Sequence, residues 1–205
     1  MTRARLGFSK FGGLVYVGHL DFLRLFLQAV RRSGLPAAYS QGFNPHLLLS
    51  FALPLPLGFS SECDCADLVL TEPTAPAAVI KALNDAAPSG LLVTSCAEVS
   101  ENERAAAAVR YADYCLELRN YVNTESVLAR DSIVIAKKTK GGVKDTEIRN
   151  DVISMVSDGN ALRMRLSAGS ERFLNPLAAC GLLTDEPPRA MSRTGLFGEG
   201  FVTLV

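Results

Sequence analysis

The segment Ser40–His46 carries the densest set of polar side chains in the chain. Its sequence, SQGFNPH, contains one hydroxyl, two amides and one imidazole, carried by Ser40, Gln41, Asn44 and His46. The central glycine can adopt backbone angles that other residues avoid, so the loop can present several donors and acceptors in a fixed shape. The composition indicates either a loop that binds a polar ligand or a structural turn whose Ser and Asn side chains bond to their own backbone.

A second candidate lies at the predicted start of the first helix, which contains His19 and Asp21. The N-terminus of a helix binds anions such as phosphate, and a histidine there could act as a general base or contact RNA. Alternatively, Asp21 compensates the positive end of the helix dipole, while His19 caps the helix or packs against it. The spacing alone leaves both interpretations open.

The basic residues are unevenly distributed, although the formal net charge is zero. Up to Gly58 the chain contains a single acid, Asp21, and these basic residues: Arg3, Arg5, Lys10, Arg24, Arg31 and Arg32. Zero net charge argues against a strong non-specific nucleic-acid binder, whereas a basic first third allows a local surface that faces phosphate. The candidate binding residues are therefore Lys10, Arg24, Arg31 and Arg32, with solvated helix faces as the alternative.

Another basic segment spans residues 137–144, with the sequence KKTKGGVK. The paired glycines predict a tight turn between two β-arms, which would place the lysines at a hairpin tip. Such a tip could contact phosphates, and a solvated turn would have the same composition.

The cysteines argue against several chemistries. They are Cys63, Cys65, Cys96, Cys115 and Cys180, and no CxxC pair occurs among them, which argues against zinc ribbons and thioredoxin chemistry. The three closely spaced cysteines of a radical SAM iron–sulfur cluster are missing as well, so the chain is not itself a radical SAM enzyme. Walker, HExxH and GxSxG motifs are absent, and the sequence predicts neither a metal site nor a cofactor.

The composition is that of a folded chain, with 205 residues of which 48% are hydrophobic, enough for one large domain or two small ones. No apolar run approaches the roughly 20 residues needed to cross a bilayer. The N-terminal sequence MTRARLGFSKFGG lacks the apolar core of a signal peptide. We therefore expect a cytoplasmic protein without membrane contact.

Hydrophobic periodicity predicts the order β-α-β-β-α-β for residues 1–100. The clearest element is a helix from His19 to Arg32, whose apolar residues recur every three or four positions and which ends at a Gly-Leu-Pro sequence. Strands are predicted at 3–11, 47–53, 63–71 and 91–99, and a second helix at 73–87. This order is typical of a ferredoxin-like unit, in which two helices cover one face of four antiparallel strands.

Residues 109–205 are predicted to form a second, smaller ferredoxin-like unit packed on the first. Strands are predicted at 110–120, 132–137, 161–167 and 201–205, a hairpin arm at 143–149, and short helices at 124–130 and 172–182. The stretch 152–156 is ambiguous, and no sequence repeat relates the two halves. The predicted fold class is α+β, and the duplication is a hypothesis about architecture.

Several segments resemble the signature of DUF2344, a bacterial family linked to radical SAM proteins, of which this chain would be a stand-alone copy. In order they are 8–10 (FSK), 18–21 (GHLD), 29–36 (AVRRSGLP), 39–46 (YSQGFNPH) and 50–58 (SFALPLPLG), with weaker landmarks at 144–149 (KDTEIR) and 193–197 (RTGLF). The chain departs from the family pattern at Gly18, where serine is usual. It also departs at Leu47 and Leu48, where proline and a basic residue are usual.

The resemblance implies an accessory role. Members of the family occur fused to, or encoded beside, B12-type radical SAM proteins and near genes for RNA processing and ribosomal proteins. The expected partner is therefore a radical SAM protein, possibly a B12-dependent one, and the expected substrate to be presented is RNA, such as tRNA or rRNA. The family has no established activity that could be carried over.

Three functions follow as hypotheses. The favoured one is a non-catalytic module that binds RNA or the partner enzyme through the basic first helix and the Ser40–His46 loop. The second is a metal-independent endoribonuclease of the CRISPR type, in which His19 deprotonates a ribose 2′-hydroxyl and Arg24 or Lys10 steadies the phosphate. This second hypothesis depends on architecture alone, which is weak support. The third is a protein–protein adaptor without RNA contact.

Overall fold

The chain folds as a mixed α+β structure, as predicted, in a computed structural model that describes residues 1–100, 102–139 and 142–204, without the side chains of residues 138 and 139. The elements of the first half are β1 (Thr2–Lys10), α1 (His19–Arg32), β2 (Leu49–Phe51), β3 (Ser60–Leu70), α2 (Pro76–Ala86) and β4 (Leu91–Val99). Those of the second half are α3 (Ala105–Ala108), β5 (Tyr111–Glu117), α4 (Glu125–Leu128), β6 (Val134–Thr139), β7 (Gly142–Glu147), β8 (Val152–Asp158), β9 (Ala161–Ser167), α5 (Pro176–Cys180) and β10 (Ala190–Phe197). Short 3-10 helices cover Gly12–Tyr16, Arg149–Asp151 and Glu199–Phe201.

Helix α1 has the bounds that its apolar spacing predicts. It buries Phe22, Phe26, Ala29 and Val30 on one face, and Gly34 follows its end with a φ of 71°, a left-handed conformation that favours glycine. The rings of Phe8 on β1 and Phe26 on α1 meet edge to face, with centroids 5.3 Å apart. Aromatic packing therefore fixes α1 against the sheet.

The strands of the first half follow the spatial order β4-β1-β3, with β2 pairing to β3 as well, and all of these pairs are antiparallel. In the register of β1 and β3, Thr2 lies opposite Leu70 and Lys10 lies opposite Ser61. The two ends of β1 therefore lie near different parts of the chain.

The large strands of the second half follow the order β10-β5-β9-β8, again with antiparallel pairs throughout. In both halves the first strand thus lies between the last and the third, and the second strand pairs with the third. The two halves join where β10 runs parallel to the beginning of β3, with Ser192 opposite Ser60 and Arg193 opposite Ser61. The hairpin β6–β7 forms a separate two-stranded sheet.

Buried apolar residues form two clusters that follow this division. The first cluster joins β1, β3 and β4 to helices α1 and α2, and its members include Leu6, Phe8, Phe26, Leu68, Leu83 and Val93. The second joins β5, β8 and β9 to α3, α4 and α5, and also includes Ala52, Leu55, Phe59 and Cys65 from the first half. The segment from Ala52 to Cys65 therefore packs into the second half.

Two strand predictions were wrong in extent. The strand predicted at 47–53 covers only Leu49–Phe51, because the amide of Leu48 donates to the carbonyl of Ala38 and the prolines after Leu53 have no N–H for a ladder. The strand predicted at 201–205 is absent from the described residues up to 204, where the chain instead turns at Gly200, which has a φ of 66°. The last strand is β10, which the sequence analysis did not predict.

The helix predicted at 172–182 is shorter than expected. Arg172 and Leu174 hydrogen-bond back to Gly169 and Ser167, and the Asn175 side chain caps a helix that begins only at Pro176. The ambiguous stretch 152–156 belongs to strand β8. Of the predicted basic tip 137–144, residues 140 and 141 and the side chains of residues 138 and 139 lie outside the described structure. Within the described residues, no helix is long and apolar enough to cross a membrane.

Candidate functional site

The structure places the predicted site residues at different ends of the first half. The Ser40–His46 loop connects two extended segments beside the end of β3. The amide of Ala38, in the first of them, donates to the carbonyl of Val69. Lys10 lies at the other end of β1, opposite Ser61. Since a strand rises about 3.3 Å per residue, these two places are on the order of 25 Å apart. The candidates therefore do not form one compact site.

The Ser40–His46 loop is closed at its base by a set of hydrogen bonds. The Ser40 amide donates to the His46 carbonyl at 2.8 Å, and the His46 amide donates to Ser40 Oγ at 3.1 Å. Ser40 Oγ also lies 2.8 Å from His46 Nδ1. Tyr39 and Leu47 form a β-bridge just below, and Gly42 has a φ of 123°, a conformation that favours glycine. Ser40 and His46 thus hold the loop in shape.

The rest of the loop faces solvent. Phe43 is fully exposed, with a relative exposure of 105%, and Gln41, Asn44 and His46 are exposed around it. A large apolar ring in water gains nothing for the isolated fold, and exposed aromatic side chains are enriched where proteins bind partners. The loop therefore displays one aromatic face together with amide donors and acceptors.

The basic residues of α1 have separate surroundings. Arg24 forms an exposed ion pair with Asp21 at 2.7 Å, and Arg31 is exposed at the end of the helix. Arg32 donates to the carbonyl of Ala86 at 2.8 Å, which ties the end of α1 to α2. Of these three arginines, only Arg31 has a guanidinium without a hydrogen bond or ion pair to another described residue.

Lys10 and His19 lie close to each other in an environment that disfavours positive charge. Lys10 is almost fully buried, its Nζ donates to the carbonyl of Val17 at 3.0 Å, and it lies 4.9 Å from the Phe22 ring centroid. Burial lowers the pKa of Lys10; the charge of Asp64 opposes this shift, and the charge of Arg193 adds to it. Burial also lowers the pKa of half-buried His19, and the charges of Lys10 and Arg193 add to that effect.

A buried ion pair between the two halves lies near Lys10 and His19, and the sequence did not predict it. Arg193 on β10 is fully buried and donates from Nη2 to Asp64 Oδ1 on β3. Its Nη1 and Nη2 also donate to the carbonyls of Pro54 and Leu53, at 3.2 and 2.9 Å. This arginine therefore holds the proline-rich loop, β3 and β10 together. Its position within the RTGLF landmark was the available signal, but its partner lies 129 residues away.

Three polar atoms around this ion pair are buried without a hydrogen-bond partner in the described structure: Ser61 Oγ, Tyr114 Oη and Arg193 Nε. Buried polar atoms of this kind are commonly satisfied by an internal water. The junction is thus a polar region in the interior of the protein.

A second ionic cluster connects β1, β3 and the start of α3. Arg5 Nε donates to Asp67 Oδ1 at 3.0 Å and its Nη1 to Glu103 Oε1 at 2.9 Å. Asp67 Oδ2 in turn accepts from the amide of Ala105 at 2.7 Å. These groups are occupied with one another, so we assign them a structural role.

Cys63 and Cys65 are thiols in surroundings that disfavour the thiolate. Cys63 Sγ donates to the carbonyl of Thr194, and burial raises the pKa of Cys63 to about 11. Burial raises the pKa of Cys65 to about 12. Within the described residues no three His, Cys, Asp or Glu side chains are grouped to hold a metal ion.

Comparison with protein families places this α+β chain in a defined group. The model of the DUF2344 family, described as an uncharacterized protein conserved in bacteria, matches residues 3–176. The chain belongs to the DUF2344 family. The match contains α1 and the Ser40–His46 loop but ends before β10, so Arg193 lies outside it. A search of curated proteins found no match.

Proposed function

We propose that the chain is a non-catalytic accessory module that holds RNA for a radical SAM partner enzyme. The observation that carries the proposal is the Ser40–His46 loop, which is hydrogen-bonded at its base and fully exposes Phe43 between amide side chains. The partner is inferred from the family resemblance. A cytoplasmic location goes with this proposal, because RNA and its modifying enzymes are found there.

The form of the loop suits single-stranded RNA. Recognition of single-stranded RNA combines aromatic rings, on which bases stack, with hydrogen bonds to base edges. Phe43 would supply the ring and Gln41 and Asn44 the hydrogen bonds, while Arg31 supplies a free positive charge on the same half. A neutral total charge fits a selective binder better than one that coats RNA in general.

We further propose that each half is a ferredoxin-like unit, with residues 1–100 and 109–205 as the two domains. The support is the spatial strand order, in which the first strand lies between the last and the third in both halves. Helices α1 and α2 accompany the first set of strands, as that fold requires, whereas the second half has only short helices in its described part.

The endoribonuclease hypothesis has less support from the geometry. It needs His19 at the 2′-hydroxyl and Lys10 or Arg24 at the phosphate. Lys10 lies close to His19 but is almost fully buried and bonded to the Val17 carbonyl, and Arg24 is bonded to Asp21. Binding is therefore the better-supported function.

The test compares two aromatic variants in the full chain. Fluorescence anisotropy measures binding of labelled tRNA and rRNA fragments, with and without the co-purified radical SAM protein. Phe43→Ala is expected to weaken RNA binding roughly 5- to 100-fold, the effect of losing one base-stacking contact. Tyr121→Ala is the control, because Tyr121 is also exposed but lies in the second half.

The outcomes separate the candidate functions. Equal binding by both variants would overturn the role of the loop. Absence of RNA binding under every condition, combined with loss of partner co-purification in Phe43→Ala, would identify a protein adaptor instead. Cleavage of the RNA by the wild-type chain, lost in His19→Ala, would identify the nuclease.

A further inference from the structure

The second half contains a cleft between the β6–β7 hairpin and the segment that leads into α5. Its volume is about 450 Å³, within the range of small-ligand sites. Hairpin residues on one side include Ile135, Lys137 and Thr146, and the opposite side is formed by residues 171–175. A cleft of this size accommodates one nucleotide.

Lys137 lines the cleft, and Lys144 lies next to it on the neighbouring strand, just outside the lining residues. Lys137 on β6 lies directly opposite Lys144 on β7 in the hairpin register, so both side chains project from the same face. Like charges in this arrangement destabilise a hairpin in isolation. The salt bridges of the described residues join other pairs, which leaves these two ammonium groups for an external anion.

The hairpin that carries these lysines is fixed at its base. The Glu147 carboxylate accepts hydrogen bonds from the Ser132 hydroxyl and from the amides of Ile133 and Arg149. The Arg149 guanidinium donates to the carbonyls of Arg130 and Leu128 at 2.9 and 3.1 Å. The wall is therefore held in position before any ligand arrives, which lowers the entropic cost of binding.

The opposite side offers an aromatic surface. Phe173 lines the cleft and is 38% exposed. Its backbone is held by a β-bridge to Ala168. Arg172 is neutralised by Asp151, with Nε 2.7 Å from Oδ1, so it adds little net charge. Glu171 is exposed at the rim and can accept a hydrogen bond from a ribose hydroxyl or a base amino group.

We infer that this cleft binds one nucleotide of a single-stranded RNA, with the phosphate on Lys137 and Lys144 and the base on Phe173. The inference deepens the proposed function and rests on it, because it adds a second RNA contact in the other half of the chain. Glu171 argues against a bare inorganic anion as the ligand. A nucleotide satisfies both the lysines and the carboxylate.

The test uses a short fluorescein-labelled uridine oligomer titrated with the full chain at several salt concentrations. The double variant Lys137→Ala/Lys144→Ala removes two phosphate contacts, so the slope of log Kd against log salt should fall by roughly 1.4. The variant Lys81→Ala/Arg119→Ala is the control, since it removes the same charge from exposed positions outside the cleft. Its slope should equal that of the wild type.

A third variant tests the base contact separately. Phe173→Leu keeps an apolar side chain at this position and should weaken binding at least fivefold without changing the salt slope. If the wild type binds the oligomer and the cleft variants behave like the control, the inference is overturned while the proposed function stands. If the wild type binds no RNA at all, the proposed function and this inference are both overturned.

Discussion

The Ser40–His46 loop and the Arg193–Asp64 junction both concentrate polar side chains, and they use them in opposite ways. At the junction Arg193 and Asp64 are buried and bonded to each other, whereas the loop uses Ser40 and His46 at its base and leaves Gln41, Phe43 and Asn44 exposed. A polar residue in a family signature can therefore serve either the fold or a ligand, and its burial distinguishes the two roles. Substitutions in the two regions should therefore have different effects.

The largest effect is expected at the junction. Arg193→Ala would leave the carboxylate of Asp64 buried without its partner and would free the carbonyls of Leu53 and Pro54. Loss of one member of a buried pair destabilises a protein by about 3–5 kcal/mol. Urea denaturation followed by circular dichroism measures the free energy of unfolding.

The control for this variant is Arg31→Ala, since Arg31 is exposed at the end of α1. A surface change of this kind alters stability by less than about 0.5 kcal/mol. A loss below about 1 kcal/mol for Arg193→Ala would contradict the structural role of the junction. RNA binding by the folded fraction of the variant should be unchanged.

An intermediate effect is expected at the base of the loop. Ser40→Ala removes the hydroxyl that accepts from the His46 amide and contacts its ring. One hydrogen bond contributes about 0.5–1.5 kcal/mol, so global stability should change little while the loop loses its fixed shape. We expect weaker RNA binding and faster amide exchange at His46, measured by titration and by hydrogen exchange. Ser40→Thr, which keeps the hydroxyl, should restore both.

The sequence alone predicts the elements of the first half well and the contacts between distant segments poorly. Helix α1 was predicted from the spacing of Leu23, Phe26, Leu27 and Val30, because burial of one helical face leaves a periodic trace. The pair of Asp64 and Arg193 leaves no such trace, because a single charged residue in a strand usually indicates an exposed position. Strand β10 was not predicted because its alternation is interrupted between Arg193 and Gly195, where the register with β5 shifts.

The candidate site divides in the same way. The Ser40–His46 loop was found because its chemistry is contained in seven consecutive residues. The burial of Lys10 was not predicted, because it depends on the packing of Val17 and Phe22 around the ammonium group. The cleft beside the β6–β7 hairpin was not predicted either. Its two sides come from segments that are separate in sequence and meet only in the fold.

The smallest effect is expected at Glu147. This residue is an exception to the comparison above, because it is exposed and yet serves the fold. This exposed carboxylate has its pKa lowered to about 2 from 4.5, first by the Ser132 hydroxyl and then by the amides of Arg149 and Ile133. A group whose pKa is lowered on folding stabilises the fold fully above the unfolded pKa and loses that contribution as the pH falls through the folded pKa. The hairpin base should therefore loosen between about pH 4.5 and pH 2, and be constant above that range.

Amide exchange at Ile133 and Arg149 measures this loosening directly, because both amides donate to the carboxylate. Glu147→Gln should show fast exchange at every pH, whereas Asp145→Asn, in the same strand, should keep the wild-type profile. A pH-independent exchange rate in the wild type would show that Glu147 does not hold the hairpin. If the hairpin base does loosen in acid, RNA binding by the Lys137 and Lys144 wall should weaken over the same range, because those lysines then lose their fixed position.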